Sequence, residues 1–283
     1  MVRLIVTLLA VTLVLGGDRF VVWPLVFARQ SAQAALTWRT SGAAEIWSKG
    51  FVPVEELSAM PPEVLAQIRQ DDEYGWVVAG PLPAAPAEAQ VRWDDGSTMR
   101  VPVIGAREAL RELSPWPENY TFPDDEAYHL TGAAFTTMRL RTVRGMAEVP
   151  AWRLYFSNLP GPIDHVAVDR EKLGTVADAV GDHPGSGVSD FTVIDDRTLL
   201  VRYGYGSCGG RPRVLVGEHP DVVVLGLRFS AGGGNGICLG VGLSGHDVVR
   251  LDTPLGDRVV LDAATRLPVL CGRMADACRS GDG

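Results

Sequence analysis

Val214-Leu215-Val216, Glu218-His219-Pro220-Asp221 and Val222-Val223-Val224-Leu225-Gly226-Leu227-Arg228-Phe229 read in one pass as a strand, a turn and a returning strand. The stretch that contains them, Thr198 to Asp262, decides the fold class. Upstream lies the alternating run Thr198-Leu199-Leu200-Val201-Arg202-Tyr203, ending at the Gly-rich corner Gly206-Ser207-Cys208-Gly209-Gly210. Downstream, Ala231-Gly232-Gly233-Gly234-Asn235-Gly236 leads to Cys238 and two further short strands. β-Branched residues broken by Gly, Pro, Asn and Asp mark antiparallel sheet, because branched side chains fit a pleated surface and the breakers supply turns. On the returning strand the two-residue period puts Val223, Leu225, Leu227 and Phe229 on one face. Val222, Val224, Gly226 and Arg228 take the other, so one face is core and the second half covered.

Working outward, Phe191-Thr192-Val193-Ile194 pairs with Thr198 to Tyr203 across Asp195-Asp196-Arg197. Phe135 to Val143 turns at Gly145 and continues as Val149 to Phe156; Asp164 to Val168 is one more strand. Leu173 to Ser189 reads as a polar, Gly-rich connection. In the first half, Val91 to Val101 is a hairpin whose Asp95-Gly96 supplies the positive φ of a tight turn. Pro61-Pro62-Glu63 opens a short helix buried through Val64, Leu65 and Ile68, since Pro suits a first turn. Tyr74 to Ala79 is a strand, and Ala106 to Leu113 a second helix. The expected fold is α+β and mostly antiparallel. A signal peptide or membrane anchor covers 1–34, a small α+β domain 35–113, a Pro-rich linker 114–125 and a β-sandwich-like domain 126–283.

The 283 residues carry a net charge of -8, which argues against nucleic acid or an anionic membrane surface as partner. At the N-terminus, Arg3 precedes the apolar run Leu4 to Leu15, which has the length of a secretory h-region. Gly16-Gly17-Asp18-Arg19 interrupts it, Phe20 to Ala28 is apolar again, and Ala32-Gln33-Ala34 forms a small-x-small cleavage site before Ala35. Export follows, as a secreted or membrane-anchored extracytoplasmic protein; the competing reading is a buried strand hairpin turning at Gly16-Gly17-Asp18. Cysteine use agrees, the competing reading being four reduced thiols in a cytosolic protein. Cys208 and Cys238 flank the central hairpin, where a bridge would contribute roughly 3–4 kcal/mol by loop-closure entropy. Cys271 and Cys278 flank a short tail loop and form the second expected pair.

Chemical motifs are weaker. Gly240-Val241-Gly242-Leu243-Ser244-Gly245 has dinucleotide-binding spacing, but that motif needs a helix next, and His246 to Leu251 reads as strand. Ser244, His246 and Asp247 are too close in sequence to form a relay, and Tyr205-Gly206-Ser207-Cys208-Gly209 lacks the first glycine of a nucleophile elbow. His165, His183 and His219 stay open as members of a set assembled from separate loops. Asp94-x-Gly96-x-Thr98 occurs once and is better read as a turn than as a propeller box. No histidine pair has metal-ligand spacing. Trp93, Trp116 and Trp152 are core residues or, on the competing reading, a sugar- or peptide-binding platform. No catalytic, cofactor or metal residue is assigned.

Ala43-Ala44-Glu45-Ile46-Trp47-Ser48-Lys49-Gly50-Phe51-Val52-Pro53 resembles an element of uncharacterised exported proteins and lipoproteins of actinobacteria. So do Val91 to Gly96, Leu130 to Ala133, Arg144 to Trp152 and Pro254 to Asp262. The resemblance implies an exported protein and no particular chemistry. The chain departs from it in two places: no cysteine lies in the Pro-rich loop before Leu130, and no lipobox cysteine follows the N-terminal apolar run. The expected function is a non-catalytic binding or structural module of the cell envelope, needing no cofactor. Its partner would be an envelope protein or glycan. The alternative is a secreted hydrolase with a set drawn from separate loops, which a Ser or Asp oxygen within hydrogen-bond reach of a histidine in a cleft would favour.

Overall fold

A computed structural model describes residues 22–70, 74–114, 127–185, 187–207, 210–229 and 241–271. The described residues open with helices α1 (Val22–Thr40) and α2 (Ala43–Lys49), then β1 (Ser58–Ala59), α3 (Pro62–Gln70) and β2 (Gly75–Val78). The hairpin β3 (Glu88–Trp93) and β4 (Thr98–Pro102) precedes α4 (Ala106–Leu113). Two long strands follow, β5 (Ala127–Thr142) and β6 (Gly145–Phe156), with β7 (Ile163–Val166), α5 (Arg170–Leu173) and α6 (Val176–Val180) after them. The last part is β8 (Val188–Asp195), β9 (Thr198–Gly206), β10 (Arg213–Glu218), β11 (Val222–Arg228), β12 (Gly242–Arg250) and β13 (Val259–Asp262). The fold is α+β, with mostly antiparallel strands in open sheets.

The chain groups into two units, one of residues 45–175 and one of residues 1–44 with 176–283. This differs from the division expected at Ser114 to Asp125. In the first unit β6 pairs with β5, β7 and β3, so one seven-stranded sheet takes strands from both sides of that loop. Trp152 is fully buried and donates from Nε1 to the Ile104 carbonyl at 2.8 Å, joining the sheet to the segment before α4. Trp93 is buried too, donates to Thr142 Oγ1 at 2.9 Å and lies under the Arg144 guanidinium at 3.7 Å. Both indoles are core, so neither can form a binding platform; Trp116 lies outside the described residues. Gly96 has φ +84°, as its turn requires.

In the other unit β10, β11 and β13 form one sheet and β12, β9 and β8 another. Val223 and Leu225 of the first share a core cluster with Leu199 and Val201 of the second, the face that alternation assigns to the core. β13 runs parallel to β11, from Val222 beside Val259 to Leu225 beside Asp262. The segment read as a polar connection holds α6, whose Val176 and Val180 are buried.

The main difference from expectation is α1. It is helical where an apolar patch and a cleavage site were read, and Ala34 and Ala35 are 0% and 1% exposed. It lies against β10, β11 and β13, covering the second face of β11, so that Val222 to Gly226 are buried on both sides. Two glycines permit the close approach. A Cβ at Gly217 would stand 2.1 Å from Ser31 Oγ, and one at Gly226 2.7 Å from the Phe27 ring. Trp38 is 4% exposed, and burying an indole is worth about 4–6 kcal/mol as an upper bound. The Arg39–Asp221 ion pair is far more exposed, at 42% and 43%, and such pairs contribute about 0.2–1 kcal/mol. Apolar fit therefore holds the helix, and the ion pair adds little to it.

Candidate functional site

A groove of about 430 Å³ runs beside α1, with Pro24, Phe27 and Ala28 on the helix side and Leu215, Val216 and Gly217 on the sheet side. Glu218, His219 and Arg228 complete its lining, with Ser31 at the helix. Ser31 is 3% exposed, and its Oγ is 2.8 Å from His219 Nε2, so this pair ties the helix to the hairpin tip.

The tip itself is heavily bonded, as the sequence Glu218-His219-Pro220-Asp221 requires of a turn that carries three side-chain acceptors. Asp221 accepts from Arg39 Nε at 2.8 Å and from a second guanidinium nitrogen, which holds its carboxyl below the usual range against the opposing effect of burial. Burial alone would raise the pKa of Glu218. Its bonds from Asp252 N, Arg258 Nη1 and Thr253 outweigh that effect and bring it down to about 2. A depressed folded-state pKa means that stability from ionised Glu218 is complete above about pH 4.5 and is lost as pH falls toward 2. Glu218→Gln should therefore lower the melting temperature at pH 7. The gap from wild type should close between pH 4.5 and 2; a gap constant across that range would contradict the assignment.

A second arrangement bears on the hydrolase reading. Ser58 and His165 are register partners on β1 and β7, and Ser58 Oγ lies 2.7 Å from His165 Nδ1. His165 is 2% exposed, and its Nε2 is 3.4 Å from Glu112 Oε2 on α4. Arg170 lies 3.5 Å from the same oxygen. The histidine bond, chiefly, and Arg170 hold the Glu112 carboxyl below its usual range, although burial opposes them. The order Ser, His, acid is that of a triad, but the hollow nearby, about 270 Å³, lies on the acid side. Its lining is Ile104, Glu108, Arg111, Glu112, Asp169, Arg170 and Glu171, without Ser58. Acyl transfer needs room for the reacting carbon about 3 Å from the serine oxygen, and the hollow offers it at the wrong end of the relay. The geometry suits a buried polar tie between β1, β7 and α4.

Of the residues singled out by sequence, His219 and His165 sit in these two arrangements and the others fall elsewhere. Gly242, Ser244 and His246 lie on β12, paired along its length with β9, so the glycine-rich spacing opens no helix. Asp247 accepts from Arg211 and from Val214 N. Asp94 takes a bidentate pair from Arg139 at its turn. His183 belongs to neither arrangement. Of the expected disulfide residues, Cys271 is described, is not a free thiol and bridges to Phe191 in backbone pairing. Cys208, Cys238 and Cys278 lie outside the described residues, and with them both expected bridges. Sequence reasoning missed Ser58, Glu112 and Ser31, none of which stands in a motif. Among the described residues no group of His, Cys, Asp and Glu could hold a metal ion, and no helix is long and apolar enough to cross a membrane. No protein-family model, curated protein or solved structure matches the chain.

Proposed function

We propose that the protein is an exported, non-catalytic binding module of the cell envelope that stays attached to the membrane through its N-terminal segment, with the groove beside α1 as its binding site. One observation carries this reading: α1, which holds the small-x-small tripeptide, is a packed part of the fold, seated on Gly217 and Gly226. Cleavage before Ala35 would remove Phe27, Ser31 and Ala34 and leave a sheet face with two glycine notches uncovered. Retention of α1 keeps the apolar run Leu4 to Leu15 joined to the folded unit. The sandwich-like stacking of the two three-stranded sheets belongs to the same proposal, supported by their common core cluster. In fractionated native cells the chain should sit in the membrane fraction and be digested by protease added outside. Recovery from the cytosol would refute it.

The alternative is a serine hydrolase, favoured by the order Ser58, His165 and Glu112 and by the Ser31–His219 pair in the groove. A fluorophosphonate probe labels an activated serine. The wild-type chain is expected to stay unlabelled; labelling that Ser58→Ala or Ser31→Ala abolishes would establish the hydrolase instead.

A further inference from the structure

We propose that the groove beside α1 binds a single-chain anionic amphiphile, its acyl chain along Phe27 and Leu215 and its head between Arg213 and Arg228. The β10–β11 register sets Arg213 directly opposite Arg228. By the two-residue period both arginines share a face with Leu215, Gly217 and Gly226, which is the face that α1 covers. Like charges directly opposite on antiparallel strands repel and destabilise the pair. Neither guanidinium has a hydrogen-bond or ion-pair partner among the described residues, whereas Arg39, Arg202, Arg211 and Arg258 all do. Glu218, the acid in the groove lining, is committed to Arg258 and the loop at Thr253.

An anion between two guanidinium forks converts the repulsion into charge-assisted hydrogen bonding. A bare anion would leave the rest of the groove unused. Arg228 lines the groove and Arg213 stands level with it at the edge; from that level to His219 the strand advances six residues, about 20 Å, past Leu215, with Phe27 and Ala28 on the helix side. The occupant that matches both parts carries one anionic head and one long apolar chain. This inference rests on the reading that α1 stays in the mature chain.

The test uses the full chain in phosphatidylcholine nanodiscs with tritiated palmitate, empty discs subtracted. One palmitate per chain should bind saturably, and hexadecanol, which has the chain without the charge, should bind at least tenfold more weakly. Arg213→Gln with Arg228→Gln should weaken palmitate binding at least tenfold while raising the melting temperature, because the facing charges are gone. Arg228→Lys should keep most of the affinity, and Ala28→Trp should block the groove. Equal binding of hexadecanol, no effect of the double variant, or displacement by millimolar inorganic phosphate would each overturn the proposal. So would arginine-dependent binding to phosphatidylglycerol vesicles without palmitate uptake, which would make the arginines a membrane-surface contact. If α1 is present and palmitate fails to bind, the ligand class alone is wrong; if α1 is absent from native protein, the attached-module reading fails first.

Discussion

Gly226→Val is expected to destabilise the protein by about 3 kcal/mol, and by at least 1 kcal/mol less in a Phe27→Ala background. The first carbon of any side chain at 226 would stand 2.7 Å from the Phe27 ring and 3.2 Å from the Ala263 Cβ. Overpacking a filled site costs about 1–3 kcal/mol, and a branched residue at both contacts belongs at the upper end. Removing the Phe27 ring opens one of them, so the two substitutions couple because they touch. Chemical denaturation of the four members of this cycle provides the measurement. Additive effects would mean that α1 does not lie on Gly226.

The second large effect is expected at Asp262. Its side chain is 3% exposed and accepts four hydrogen bonds. Oδ2 takes Val188 N at 2.9 Å, while Oδ1 takes Ala264 N at 2.9 Å, Thr265 N at 2.8 Å and Thr265 Oγ1 at 3.1 Å. One carboxylate thus joins the start of β8 to the end of β13, and Gly187 leaves space for it, since a Cβ there would lie 2.6 Å from the carboxyl. Asp262→Ala strands buried N–H donors, each costing about 1–3 kcal/mol before relaxation, so a total loss of about 3–5 kcal/mol is expected. Asp262→Asn should lose roughly half as much by the same reasoning, because its oxygen can serve the turn while its NH₂ faces the Val188 N–H. Equal losses for the two variants would show that the charge, and not the acceptor geometry, is what matters.

The elements that could be read in the sequence are those fixed by local chemistry. Asp95-Gly96, Asp195-Asp196-Arg197 and Glu218 to Asp221 each determine a hairpin, and Ala106 to Leu113 shows a helix through its apolar spacing. The last of these turns joins the strands on which Arg213 faces Arg228, a register that only the paired strands show. Non-local pairings could not be read. Nothing in Val259 to Asp262 distinguishes a parallel neighbour from an antiparallel one, and Trp93 beside Ala147 pairs across a loop that looks like a boundary. Helix α1 was hidden for a different reason. Val22 to Thr40 includes Pro24, follows an apolar run and carries an Ala-rich tripeptide, a composition shared by leader segments and by helices that pack against glycine. Its mark lies on the partner strands, in Gly217 and Gly226, and appears only once the two are brought together. Ser58, Glu112 and His165 likewise meet only through tertiary packing of β1, α4 and β7.

The central claim, that α1 is part of the mature protein, is tested most directly by the intact mass of the chain recovered from native cells, read with its N-terminal sequence. The account predicts a species that retains Pro24, Phe27 and Ser31. A mature chain beginning at Ala35 would contradict it.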